Sequence, residues 1–297
     1  MNRKKTVANV ILFAIALVLA VAALLKTIGK INFKKNLNGC LYYSANAGQV
    51  VKYGFSGEKK EKLLDLGDYN VIGDCCFDKD NSELTALVTT KDGGKALIIC
   101  TPTSGSATYK APKTAENSAV KSGYFYYIEN KDGADVLYKT DIKAQKTDQI
   151  AKWDDTVTLC QTEGGRLYFN KKSDNRFYYL ENGREVQCPE NVVRIIAAND
   201  KAVVSYNTGI NEITVFDAYT WDVISSLRVD EDPIGTAVNQ KADKIAFCFM
   251  TDRDLFDGNT DSYANYMIAD LSTGKVYSYK ADNGERIVRF FGWSDGE

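Results

Sequence analysis

Two hydrophobic patterns divide the chain. From Val7 to Leu25 the sequence reads VANVILFAIALVLAVAALL, with one polar residue, Asn9, and no charge. A run apolar on every side predicts a helix in a nonpolar environment rather than one packed by a single stripe. At ~1.5 Å per residue it reaches about 28 Å, enough to cross a hydrocarbon core of roughly 30 Å. Beyond residue 36 the pattern changes to short alternating runs separated by Gly, Asn and Asp, which predicts strands joined by tight turns.

One of these runs recurs: CLYYSAN from Cys40, ELTALVTT from Glu83, YFYYIEN from Tyr124, RLYFNKK from Arg166, AVVSYNT from Ala202 and KIAFCFM from Lys244. With Leu41, Leu84, Phe125, Leu167, Val203 and Ile245 as equivalents, the intervals are 43, 41, 42, 36 and 42 residues. Each unit holds several runs. In the fifth, VVRIIAA, KAVVSYN, EITVFDAY and DVISSLRV are separated by Asn199-Asp200, Thr208–Asn211 and Thr220-Trp221. In the third, Lys131-Asp132-Gly133 supplies the positive-φ step of a hairpin. A period near 40–45 with four strands per unit predicts a β-propeller. A pair of β-sandwiches is the competing all-β arrangement.

The chain ends set the count. The first unit has only three strands (CLYYSAN, QVVKYGFSG, EKLLDLG), and the chain finishes on a lone strand in ERIVRFFGWSDGE. Each end supplies what the other lacks, and pairing them removes two exposed sheet edges. The expected fold is therefore all-β: six blades of four antiparallel strands, the C-terminal strand completing the first blade. The expected divisions are a basic tail at 1–6, a membrane helix or signal anchor at 7–28, a linker at 29–36 and the propeller at 37–297.

Phe291-Gly292-Trp293-Ser294-Asp295-Gly296 is similar to the "WSPDG" turn of TolB-like and WD40-like bacterial propeller repeats, lacking its proline. Asn239–Phe247 resembles a degraded "SPDGKKIAF", and Phe77-Asp78-Lys79-Asp80-Asn81 occupies the equivalent place in the second unit. The resemblance spans about residues 36–297 and implies a fold rather than an activity. It is shared with membrane-anchored bacterial propellers of unassigned function.

Charge and composition refine the placement. Residues 1–35 carry Arg3, Lys4, Lys5, Lys26, Lys30, Lys34 and Lys35 and no acid; the remainder carries 30 basic and 39 acidic residues, a formal net of −9. So acidic a domain repels phosphate backbones, and nucleic acid is not an expected partner. Ala20-Val21-Ala22 offers a cleavage-like pattern. The apolar run continues to Leu25, however, so a retained single-pass anchor is favoured, with the propeller outside the cytoplasm. Lysines on both sides leave the positive-inside rule undecided. Leu37-Asn38-Gly39-Cys40 looks like a lipobox but stands 14 residues past Leu25. The seven cysteines show no CxxC and read as buried thiols.

The sequence has no histidine, which excludes His-based triads, His general bases and His-ligated zinc. No nucleophile elbow, P-loop or dinucleotide fingerprint occurs. No cofactor is expected, calcium being the one candidate. Oxygen ligands at Asp257, Asn259 and Asp261, with Asp252 and Asp254 nearby, have calcium-like spacing but lack the EF-hand glycine and distal glutamate. A solvated acidic loop is the competing reading. Loops on one face would gather Asp68, Tyr69, Trp153, Asp154, Asp155, Asp230, Glu231, Asp232 and Phe256, an acidic surface with aromatics. The expected role is a membrane-tethered, extracytoplasmic, non-catalytic module binding a protein or envelope component. The alternative is a carboxylate-dependent, glycosidase-like hydrolase using the central channel.

Overall fold

The computed structural model describes residues 3–45, 48–67, 71–78, 83–101, 105–115, 117–160, 162–248, 265–280 and 287–295. Helix α1 (Arg3–Lys35) precedes 24 strands in six four-stranded antiparallel sheets. Blade 1 holds β1 (Cys40–Ala45), β2 (Gln49–Gly54) and β3 (Lys59–Asp65). Blade 2 is β4 (Val71–Asp78), β5 (Glu83–Thr89), β6 (Lys95–Thr101) and β7 (Gly105–Ala111). Blade 3 is β8 (Ser118–Lys121), β9 (Tyr124–Lys131), β10 (Ala134–Asp141) and β11 (Lys146–Trp153). Blade 4 is β12 (Val157–Leu159), β13 (Leu167–Lys171), β14 (Arg176–Glu181) and β15 (Arg184–Gln187). Blade 5 is β16 (Ile195–Ala198), β17 (Ala202–Asn207), β18 (Glu212–Asp217) and β19 (Val223–Arg228). Blade 6 is β20 (Ile234–Val238), β21 (Lys244–Cys248), β22 (Asn265–Asp270) and β23 (Lys275–Lys280).

The ring closes as the chain ends require. Strand β24 (Ile287–Ser294) lies innermost in blade 1, in the order β24-β1-β2-β3. It runs antiparallel to β1, pairing Leu41 with Trp293 and Ala45 with Ile287. Trp293 is 1% exposed, packs on Phe55 (5.0 Å between centroids) and donates its indole N–H to the Asn38 carbonyl at 3.1 Å. The seam thus joins the last strand both to the sheet and to the segment that enters it.

Six apolar clusters fill the contacts between successive blades, so the core is a set of wedges around an axis. Inner strands are covered on both faces: β5 is buried at every position but its last, Glu83 and Thr85 included. The outermost strands face water, and β3 and β11 carry charges accordingly. Tyr42, Tyr126 and Tyr178 pack between blades, Tyr42 stacking on Phe77 at 4.5 Å.

Polar side chains stitch the turns. Asn199 accepts the N–H groups of Lys201 and Ala202 and donates to the Asn239 carbonyl of the next blade at 3.0 Å. Asn239 repeats the cap on Asp243 and Lys244. The turns after β10, β18 and β22 share a second device. Asp141, Asp217 and Asp270 each cap the turn through a carboxylate, and a residue four places on, with positive φ, donates back to their carbonyl.

Between the apolar run and the first blade, helix α1 continues as far as Lys35. The reason is packing: Phe33 is buried and stacks on Tyr277 of β23 at 4.4 Å, while Leu37 joins the same cluster. Lys30 lies over the Tyr279 ring at 4.9 Å, and Lys34 pairs with Glu58 at 2.8 Å. From Ile11 to Ile28 the helix is exposed throughout, Phe13 to 71%. The span Ile11–Lys35 is long and apolar enough to cross a membrane.

Candidate functional site

Strands alternate in direction, so turns of one kind gather at one end of the ring. The links between second and third strands and the connections between blades share one end. The links between first and second and between third and fourth strands share the other. Helix α1 enters β1 at Cys40 and therefore belongs to the second, anchor end. The six residues of β1 set the loop end about 20 Å away, at ~3.3 Å per residue.

At the loop end a groove of about 560 Å³ opens between blades 4 and 5. This is within the usual range for ligand sites, roughly 300–1,000 Å³. Its lining mixes apolar side chains, among them Leu159, Phe177, Val193 and Ile195, with polar ones, Thr158, Asn170, Asn175, Thr208 and Arg194. Val193 is 41% exposed at the rim. The guanidinium of Arg194 sits over the Tyr206 ring at 5.1 Å and grips Asp232 with both terminal nitrogens, one at 2.9 Å. A bidentate pair of this kind holds the connections on either side of blade 5 in fixed geometry. Burial pushes the Cys160 thiol at the groove floor well above its ordinary value, with the neighbouring Cys188 adding to the rise.

The residues expected on this face divide three ways. Asp154, Asp230 and Glu231 are exposed there. Asp155 and Asp232 are there but engaged: Asp155 accepts from the Ser173 hydroxyl at 2.6 Å and the Thr156 N–H at 2.8 Å, and Asp232 is held by Arg194. Trp153 belongs to the core between blades 3 and 4, its ring 4.9 Å from Phe169 and its indole N–H donating to Glu185 at 2.7 Å. It offers the face no aromatic surface, because the last residue of β11 points between the sheets. Asp68, Tyr69, Phe256 and the calcium candidates Asp252, Asp254, Asp257, Asn259 and Asp261 lie outside the described residues. Among the described residues no three acidic or thiol groups cluster with metal-binding geometry.

Glu163, in the loop after β12, reaches from blade 4 across the axis to blade 1. Its carboxylate accepts the Trp293 backbone N–H at 3.1 Å, and its own N–H donates to the Ala198 carbonyl at 2.8 Å. A Cβ placed on Gly292 would lie 2.6 Å from the Phe77 Cβ and 3.1 Å from the Glu163 carboxylate. Blades 1, 2 and 4 therefore meet at the axis, the Glu163 carboxylate lying against the bare backbone of Gly292.

Sequence periodicity did not reveal the groove or the part played by Arg194. The one signal was a charge interrupting the otherwise apolar run VVRIIAA.

No protein-family model matches the chain, and no curated protein matches it. Among solved structures it is similar to TolB from Acinetobacter baumannii, at 12% identity and a TM-score of 0.61, over 86% of this chain and 66% of that one. It is also similar to a chain of a nidogen/laminin complex, at 10% identity and a TM-score of 0.55, over 88% of this chain and all of that one. At such identities the likeness concerns the fold: this chain is a six-bladed β-propeller, similar in fold to TolB, preceded by an apolar helix.

Proposed function

We propose that the chain is a membrane-anchored, extracytoplasmic propeller that binds a protein or envelope component at its loop end without catalysing a reaction. The observation that carries this is the docking of α1: its exposed apolar stretch calls for a bilayer, and its last turns attach to the end opposite the loops. A ring so mounted presents the inter-blade groove away from the anchor. The groove combines apolar side chains with amides and hydroxyls, and Asp154, Asp230 and Glu231 add negative charge to the same end of the ring. That combination suits an extended peptide segment with an apolar side chain and flanking basic residues. The occurrence of a like-folded chain in a nidogen/laminin complex is in keeping with a protein ligand.

The test is site-specific photo-crosslinking in native membranes, with the probe at Val193 or Asp154 and, as control, at Ile150 on the outer strand β11. A partner captured from the first two positions, and lost when Val193→Glu is introduced, supports the reading. Equal capture from all three positions refutes the chosen face. Protease access in intact cells checks the side of the membrane.

A further inference from the structure

The anchor end carries a second concavity, far from the groove. A pocket of about 190 Å³ is lined by Cys40, Lys52, Gly54, Ser56, Lys59 and Glu61, where β1, β2 and β3 of blade 1 reach the turn at 55–58. We infer that this pocket binds the phosphate of an anionic phospholipid headgroup; the inference rests on α1 spanning a bilayer.

Three observations point there. The first is charge: the lining holds two ammonium groups, one carboxylate and a hydroxyl. Neither Lys52 nor Lys59 has an ion-pair partner among the described residues, although Glu61 stands directly across the ladder from Lys52. Two cations sharing one concavity with no ion-pair partner among the described residues, one of them half-buried, form an anion site. The second is size. The pocket takes a phosphate and the start of its ester chain, but is below the volume ordinary for whole small-molecule ligands, roughly 300 Å³ or more.

The third is position. The turn that forms the pocket rim is the one α1 grips: Lys34 pairs with Glu58, and the Phe55 N–H donates to the Gly39 carbonyl at 3.0 Å. The helix lies against the blade-6 side of blade 1, through Phe33 and Tyr277, while Cys40 and Tyr42 mark the pocket side, facing blade 2. From Lys26, the first charge after the apolar run, to Lys35 is at most about 14 Å of helix, at ~1.5 Å per residue. The headgroup layer itself extends roughly 6 Å beyond the hydrocarbon, and a lysine side chain spans most of the remainder. The ring is thus seated on the membrane surface rather than suspended above it, and the pocket is the part of that seat able to recognise a lipid.

The experiment measures lipid retention by the full chain in mild detergent, using native mass spectrometry with phosphatidylglycerol and, separately, phosphatidylcholine. Phosphatidylglycerol should be retained in preference, and K52Q/K59Q should weaken it roughly thirtyfold, each surface lysine contributing about 1 kcal/mol against an anionic lipid. E61Q should tighten retention, an outcome that misfolding cannot mimic. Equal retention by wild type and K52Q/K59Q overturns the inference. So does binding of inorganic phosphate without preference for the lipid, which would indicate a soluble phosphate ligand. Alkaline extraction of membranes tests the anchor independently: release of the chain refutes the spanning helix, whereas a chain that stays but shows no lipid preference refutes only the pocket.

Discussion

Adding one methyl group at Gly292 should loosen the whole ring. The new Cβ of Gly292→Ala would stand 2.6 Å from the Phe77 Cβ and 3.1 Å from the Glu163 carboxylate oxygen. The first separation is impossible for two carbons, and both neighbours are buried, so β24 or the strand carrying Phe77 must shift and Glu163 must also give way. Overpacking of this kind costs about 1–3 kcal/mol. Withdrawal of Glu163 also strips the Trp293 N–H of a charged acceptor, for about 1.5–3 kcal/mol more. Together they cost about 3–5 kcal/mol, a large share of a typical stability of roughly 5–15 kcal/mol. Urea unfolding of the full chain in detergent, followed by tryptophan fluorescence, should show the midpoint lowered by about 1–2 M. The partner substitution sharpens the test. Glu163→Ala removes one of the two obstacles, so Gly292→Ala should cost at least ~1 kcal/mol less in that background than in wild type. Additivity of the two changes, or a Gly292→Ala midpoint unchanged from wild type, would refute the placement of Glu163 across the axis.

Phe33→Ala removes the ring stacked on Tyr277 and about 3 kcal/mol of docking; amide exchange from Gly29 to Leu37 should accelerate by about 100-fold while blades 3 to 5 are unaffected. Asp217 accepts the N–H groups of Thr220 and Tyr219 at 2.8 Å, which holds its carboxyl below the ordinary carboxylate range. Its stabilising effect is present above the unfolded value, near pH 4, and is lost as the pH falls through the lower folded value. Urea midpoints measured against pH should therefore show Asp217→Asn weaker than wild type at neutrality, with the gap closing as the pH falls below the ordinary carboxylate range.

Much of the fold was legible because a blade repeats. Leu41, Leu84, Phe125, Leu167, Val203 and Ile245 all fall on the second strand of their blades, since alternation and hairpin turns are local properties that each unit must satisfy alone. The missing strand of the first unit and the surplus strand at the end could be matched for the same reason: an unpaired ladder edge is visible as a count. The site was less legible. Asp154, Asp230 and Glu231 are exposed as their polarity implied, but Trp153 turned inward, and Asp155 and Asp232 were taken up by Ser173 and Arg194. Loop polarity reports contact with water; it does not report which side chains find partners from another blade.

The sequence by itself determined the strand count, the order of the blades, the seam and the apolar helix, because each follows from periodicity, turn chemistry or hydrophobic length along one stretch of chain. Only the tertiary structure decided that α1 continues to Lys35 and docks on Tyr277 and Glu58, that Glu163 crosses to Trp293, and that Val193, Arg194 and Phe177 share a groove. Those contacts join residues far apart in the chain, Glu163 and Trp293 by 130 positions and Phe33 and Tyr277 by more, and closing the ring is what brings them within reach.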